Sequence, residues 1–206
     1  MISSKTTTAV EELLVDYLRS RTEWDEDPAL FTLHEAEPGR VRMVRLPVPE
    51  AVWGTIGHPP KAVEAIAAAA TVMPRRPDGS HGFVSLGVGR LIGAAFHCEA
   101  YALDSGSQSP AVEEAIHRRS TGGTVPMFKD IPGRIEQRCM AAIDLDGGRY
   151  MASSSRIDES KPDASEPVVQ YLAFGDPARD RIAGRVVDAV NRLLNAIKPI
   201  PQRSDR

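Results

Sequence analysis

Two alternating stretches constrain this chain more than any other feature. In residues 91–103, Ile92, Ala94, Phe96, Cys98, Ala100 and Ala102 fall on one side of an extended chain, while His97, Glu99 and Tyr101 fall on the other. Residues 134–143 alternate in the same way, with Cys139 in the apolar row and Glu136 and Arg138 in the polar one. A period of two belongs to strands, and one apolar row beside one mixed row suits an antiparallel sheet with a single covered face. The expected class is α+β, built on an antiparallel sheet of about five strands covered by helices.

The rest of the chain supplies the covering elements. Thr8 and Glu11 have capping-box spacing, and Val10, Leu13, Leu14, Tyr17 and Leu18 recur at helical intervals, which predicts a helix over 9–21. Residues 30–33 and 41–46 read as a hairpin around Glu37-Pro38-Gly39-Arg40, and 47–58 as a connector. Pro59 and Pro60 open an alanine-faced helix to about residue 72. Residues 83–86 and 91–103 read as a second hairpin across Gly87-Val88-Gly89, followed by a helix from Pro110 to about Arg119. A third hairpin joins 134–145 to 149–156 through a two-residue Asp146-Gly147 turn that would set Asp144 opposite Arg149. After a polar loop comes a strand at 168–174. A long helix then runs from Asp176-Pro177 to Lys198, with an apolar stripe and a basic flank of Arg179, Arg181, Arg185 and Arg192.

From residue 59 this order is helix, two strands, helix, three strands, helix. It resembles the profilin-like architecture, including Roadblock and longin domains, and the resemblance implies a five-stranded antiparallel sheet with covering helices but no particular activity. The organisation expected is one α+β domain over 1–198. Within it, 1–58 is an N-terminal helix and hairpin extension and 59–198 the core, with 199–206 a flexible tail.

Composition narrows the function classes. With 42% hydrophobic and 26% charged residues, a 206-residue chain can bury an ordinary core and needs no staple. A net charge of -3 gives no overall basic field, so nucleic acid is a possible but disfavoured partner and a membrane is not expected. No apolar run approaches the roughly 20 residues of a membrane helix, and no signal peptide opens the chain, so a cytoplasmic location is expected. Cys98 and Cys139, both in apolar rows, are expected as buried free thiols. Twenty arginines against five lysines, with abundant alanine, fit a GC-rich genome such as that of an actinobacterium or one of its phages.

Candidate chemistry is sparse. His97, Glu99, Tyr101, Glu136 and Arg138 would form one patch if their strand faces coincide, offering a base, two carboxylates and a guanidinium for acid–base work or anion binding. The simpler reading is a polar sheet face with cross-strand ion pairs. Arg75, Arg76, Arg90, Arg118 and Arg119 are candidate anion-binding residues around neighbouring loops and a helix end. The five histidines lack metal-ligand spacing, and Gly87-Val88-Gly89 leads into a strand instead of the helix that phosphate binding requires, so no metal or cofactor is expected. The reading that follows is a non-catalytic interaction or accessory protein, homo-oligomeric or part of an assembly. The alternatives are a small hydrolase or transferase using His97 and Glu99, or a phage structural or virion component.

Overall fold

A computed structural model describes residues 2–56, 58–103, 106–156, 164–178, 182 and 184–200. Their elements run α1 (Ser4–Arg19), β1 (Ala29–Glu37), β2 (Arg40–Arg45), α2 (Glu50–Ile56), α3 (Pro59–Val72), β3 (Arg90–Ala102) and α4 (Pro110–Ser120). After a single 3-10 turn at Phe128–Asp130 come β4 (Ile135–Asp144), β5 (Arg149–Ser155), β6 (Val168–Leu172) and α5 (Arg185–Ile197). The strands form one six-stranded sheet in the order β2-β1-β3-β4-β5-β6, every pair antiparallel. The class is α+β.

The sheet is buried on both faces, which the alternating pattern did not announce. On one face α1 lays Val10, Leu14 and Leu18 against Phe31, Leu33, Ala95, Met140 and Tyr150. On the other, α5 sets Val187, Val190, Leu193, Leu194 and Ile197 against Phe96, Ala141 and Ile143, with α3 beside it. Each fully buried aliphatic side chain of such a stripe contributes about 1.5–3 kcal/mol gross, so the stripe on α5 is enough to fix that helix on the sheet. β3 sits between the two layers and is buried without a break from Leu91 to Cys98. His97 therefore faces α1, not solvent, while farther along the same polar row Glu99 is half-buried and Tyr101 is exposed.

Several expected details differ. Residues 83–86 form turns, not a strand, so the helix-strand-strand order of a profilin-like core is not reproduced; the place beside β3 is taken by β1 of the N-terminal hairpin. That hairpin thus supplies two of the six strands. Helix α1 starts earlier than Thr8, capped by Ser3, whose hydroxyl accepts the Thr6 N–H at 3.2 Å. The connector after Pro47 contains α2. Helix α5 starts at Arg185; Asp176 instead closes a turn by accepting the Ala178 N–H at 2.7 Å. Arg179 and Arg181 of the expected basic flank lie outside the described residues, as does much of the expected tail.

Two local devices account for the remaining shifts. In the third hairpin Ile143, not Asp144, pairs with Arg149, because the Asp144 carboxylate folds back to accept the Asp146 and Gly148 N–H groups and the Tyr150 hydroxyl at 3.0, 2.8 and 3.0 Å. Between β1 and β3 the register slips from Leu33↔Gly93 to His34↔Leu91. This bulge turns Ile92 to the α1 face, away from Ala94, Phe96 and Cys98. Gly93 permits it: a Cβ there would lie 2.5 Å from the Ile143 carbonyl oxygen.

Candidate functional site

The registers bring all five candidates of the polar patch onto one face. Glu99 pairs directly with Arg138, and Tyr101 with Glu136. On β5, Ser154 lies opposite Arg138, and the Arg156 N–H donates to the Glu136 carbonyl at 2.8 Å. The patch is thus a run of cross-strand rungs whose polarity rises along the sheet. His97 beside Met140 comes first, then Glu99, Arg138 and Ser154, then Tyr101, Glu136 and Arg156.

The segment joining α1 to β1 closes over these rungs. Arg138, only 1% exposed, donates from Nη1 to the Arg21 carbonyl at 2.7 Å and from Nη2 to the Glu23 carbonyl. Its Nε donates to Glu99 Oε1 at 3.4 Å. Glu99 Oε2 accepts the Asp25 N–H at 2.7 Å. The Trp24 ring lies 4.1 Å from the Arg138 guanidinium carbon and 5.3 Å from that of Arg156, which is ion-paired with Glu136 at 2.8 Å. Tyr101 is covered from another side by Arg134, 4.9 Å from its ring centroid. The cationic side chains of the patch are used to hold backbone and aromatic groups of this chain.

His97 is 0% exposed and meets Tyr17 edge-on at 5.3 Å. Neither ring nitrogen has a hydrogen-bond partner among the described residues. Burial, reinforced by the positive charges of Arg21, Arg138 and Arg45, lowers its pKa to about 4, so the ring is neutral at ordinary pH. Burial likewise raises the Glu99 carboxyl, against the opposing pull of the Asp25 amide and Arg138. A general base needs a proton to take from a substrate within hydrogen-bond reach. This histidine meets the underside of α1 instead.

Asp25, Glu99 and Glu136 each bring one carboxylate oxygen within 4.8 Å of the others. Glu99 already faces Arg138 and Glu136 faces Arg156, so two of the three carboxylates are ion-paired with guanidinium groups of the same chain, and Asp25 is exposed. Beside the patch lies a cleft of about 350 Å³ lined by Arg21, Thr22, Ser154 and Ser165, with Arg19 and Glu166 ion-paired to one another on its wall.

The five candidate anion-binding arginines are each engaged within the chain. Arg75 donates to the carbonyls of Gly79, Ala196 and Lys198 at 3.2, 2.7 and 2.9 Å, binding its loop to the C-terminal end of α5. Arg76 gathers the carbonyls of His81, Gly82 and Val84. Arg90 pairs with Glu35 at 2.8 Å and Arg118 with Glu114 at 2.6 Å, while Arg119 lies 5.7 Å from the centroid of Phe128. His81 belongs to the same fabric: its Nε2 is 3.0 Å from the Ala70 carbonyl and its Nδ1 accepts the Phe83 N–H at 3.0 Å.

Sequence reasoning missed Trp24, Asp25, Arg21, Ser154 and Arg156. Alternation along β5 would have placed Ser154 and Arg156 beside Arg138. Nothing in the residues 20–28 announces that they lie across the sheet. Comparison with known proteins returned no matching family model, no matching curated protein and no matching solved structure. No helix among the described residues is long and apolar enough to cross a membrane.

Proposed function

We propose that this is a non-catalytic interaction or accessory protein that works as a homo-oligomer in the cytoplasm. The observation that carries the reading is the use of Arg138. The strongest cluster of chemically capable side chains in the chain spends its guanidinium on the Arg21 and Glu23 carbonyls and on Glu99, under a cover made by α1 and the following connector. A fold that commits such groups to holding its own backbone leaves recognition to its surfaces. The candidate arginines outside the cluster support the same reading, since each is engaged with a carbonyl, a carboxylate or a ring of the same chain.

The test is a panel of esters, phosphoesters and nucleotides incubated with the wild type and with His97→Ala and Glu99→Gln variants shown by circular dichroism to be folded. No turnover above background is expected from any of them. Turnover by the wild type that either folded variant cuts a hundredfold or more would overturn the reading in favour of a hydrolase or transferase.

A further inference from the structure

The two edges of the sheet are treated very differently. At one end β2 carries Arg40, Arg42 and Arg45 in six residues, the charged arrangement by which natural sheets discourage edge-to-edge pairing. At the other, β6 is Val-Val-Gln-Tyr-Leu, and residues 167–175 contain no charged side chain at all. Val168 is 67% exposed there, and Phe174, two residues beyond the strand, is 73% exposed.

Backbone phase shows what this edge offers. The Asp144 N–H donates to the Gly148 carbonyl at 3.1 Å, so Gly148, Tyr150 and Ala152 direct their backbone groups toward β4, and Arg149, Met151 and Ser153 direct theirs toward β6. Met151 pairs with Gln170 and Ser153 with Val168, so Val168, Gln170 and Leu172 bond inward to β5. The N–H and C=O groups of Val169 and Tyr171 point outward. Among the described residues no backbone group bonds to them on that side.

We propose that the outer edge of β6 pairs antiparallel with β6 of a second copy of this chain, about a twofold axis passing between the two Gln170 residues. The proposal rests on the homo-oligomer reading above and names the surface that would serve it. In this register Val169 and Tyr171 of each copy exchange N–H···O bonds with Tyr171 and Val169 of the other, which satisfies the outward groups. Gln170 faces Gln170 at a non-hydrogen-bonded position, and Val168 faces Leu172, so no charge meets a like charge across the axis. The same operation on β2 would set arginines against arginines. Pro167, at the next outward position, has no N–H to give, and it ends the ladder. A five-residue ladder is a small interface, so the dimer is expected to be concentration-dependent.

The experiment is sedimentation velocity over a concentration series for the wild type, Gln170→Lys, Gln170→Glu and an equimolar mixture of the two variants. Gln170 is exposed, so either charge is tolerated by the monomer. The expected result is a wild-type dimer, two variants that stay monomeric because like charges face one another at Cα separations of about 4.5 Å, and a heterodimer in the mixture. Arg42→Glu on β2 is expected to leave the wild-type dimer intact. A dimer that persists in both Gln170 variants, or that Arg42→Glu disrupts, overturns the β6 assignment while leaving a homo-oligomer. A wild type that remains monomeric at the highest attainable concentration overturns both.

Discussion

His97 makes the stability of this protein depend on pH in a direction and amount that follow from its surroundings. In the unfolded chain the ring takes up a proton below an ordinary pKa of about 6.5. In the fold the same ring is closed beneath Tyr17, with the charges of Arg21, Arg138 and Arg45 nearby, and takes one only at about pH 4. Because the folded pKa is the lower one, the unfolded state binds the extra proton first. The contribution is constant above about pH 6.5, is lost progressively as pH falls from there to about 4, and changes no further below. A difference of about 2.5 units amounts to about 3 kcal/mol, a large fraction of the 5–15 kcal/mol that keeps a domain folded. Glu99 and Asp144, whose carboxyls burial raises, act in the opposite sense at the acid end, since they bind a proton more tightly when folded. His97→Met separates the two effects: it is close in volume, and it removes two buried nitrogens that lack hydrogen-bond partners among the described residues. Urea titrations of wild type and variant between about pH 7.5 and pH 4 should show the variant at least as stable as the wild type near neutrality, with the difference in its favour growing by about 3 kcal/mol toward pH 4. Parallel stability curves for the two proteins, or an NMR titration of the His97 ring in the folded state near pH 6.5, would refute the reasoning.

Arg138→Met should cost about 3–5 kcal/mol in urea unfolding, because it removes the cation facing Glu99, leaving that carboxylate to backbone donors such as the Asp25 N–H, and takes the guanidinium donors from the carbonyls of Arg21 and Glu23; adding Glu99→Gln should recover part of that loss. Cys98, which is buried, and Cys139, which is half-buried and not fully enclosed as its apolar row suggested, face one another across β3 and β4, and burial pushes their thiols up to about 12 and about 11. Both should therefore resist a maleimide at pH 7.5 in the native protein and react promptly in denaturant, and rapid native labelling of either would contradict the packing of that rung. Arg75→Ala removes the donors from the Ala196 and Lys198 carbonyls; it should cost about 1–3 kcal/mol and speed amide hydrogen exchange in the last turn of α5 ahead of the rest of the helix.

Much of the architecture was legible because it rests on local rules. Alternation marked β3 and β4, Pro59-Pro60 and Pro110 opened α3 and α4, and the stripe from Val187 to Ile197 marked α5. The coincidence of Glu99 with Arg138 and of Tyr101 with Glu136 was also within reach, since two strands of known alternation can share a face in only one of two ways. Residues 83–86 misled because Phe83 and Val84 pack apolar side chains against the core from turns, and apolar content alone does not distinguish a strand from a pinned loop. The alternation of residues 91–98 was incomplete for a related reason: Ile92 sits at a bulge set by how β1 meets β3, a pairing about 60 residues distant in sequence.

Sequence by itself determined the class and the antiparallel pairing, because periodicity and turn chemistry act over a few residues, and it marked His97, Glu99, Tyr101, Glu136 and Arg138 without the Arg21, Trp24, Asp25, Ser154 and Arg156 that surround them. Tertiary structure decided what those side chains are used for. The polar row of β3 could have faced water, a cleft or a cover, and no residue within it specifies which. That choice belongs to α1, whose apolar stripe has to be buried somewhere, and to the Arg21 and Glu23 carbonyls, which need donors once the connector crosses the sheet. Arg138 satisfies them from a strand more than a hundred residues away, and only the assembled sheet brings it there.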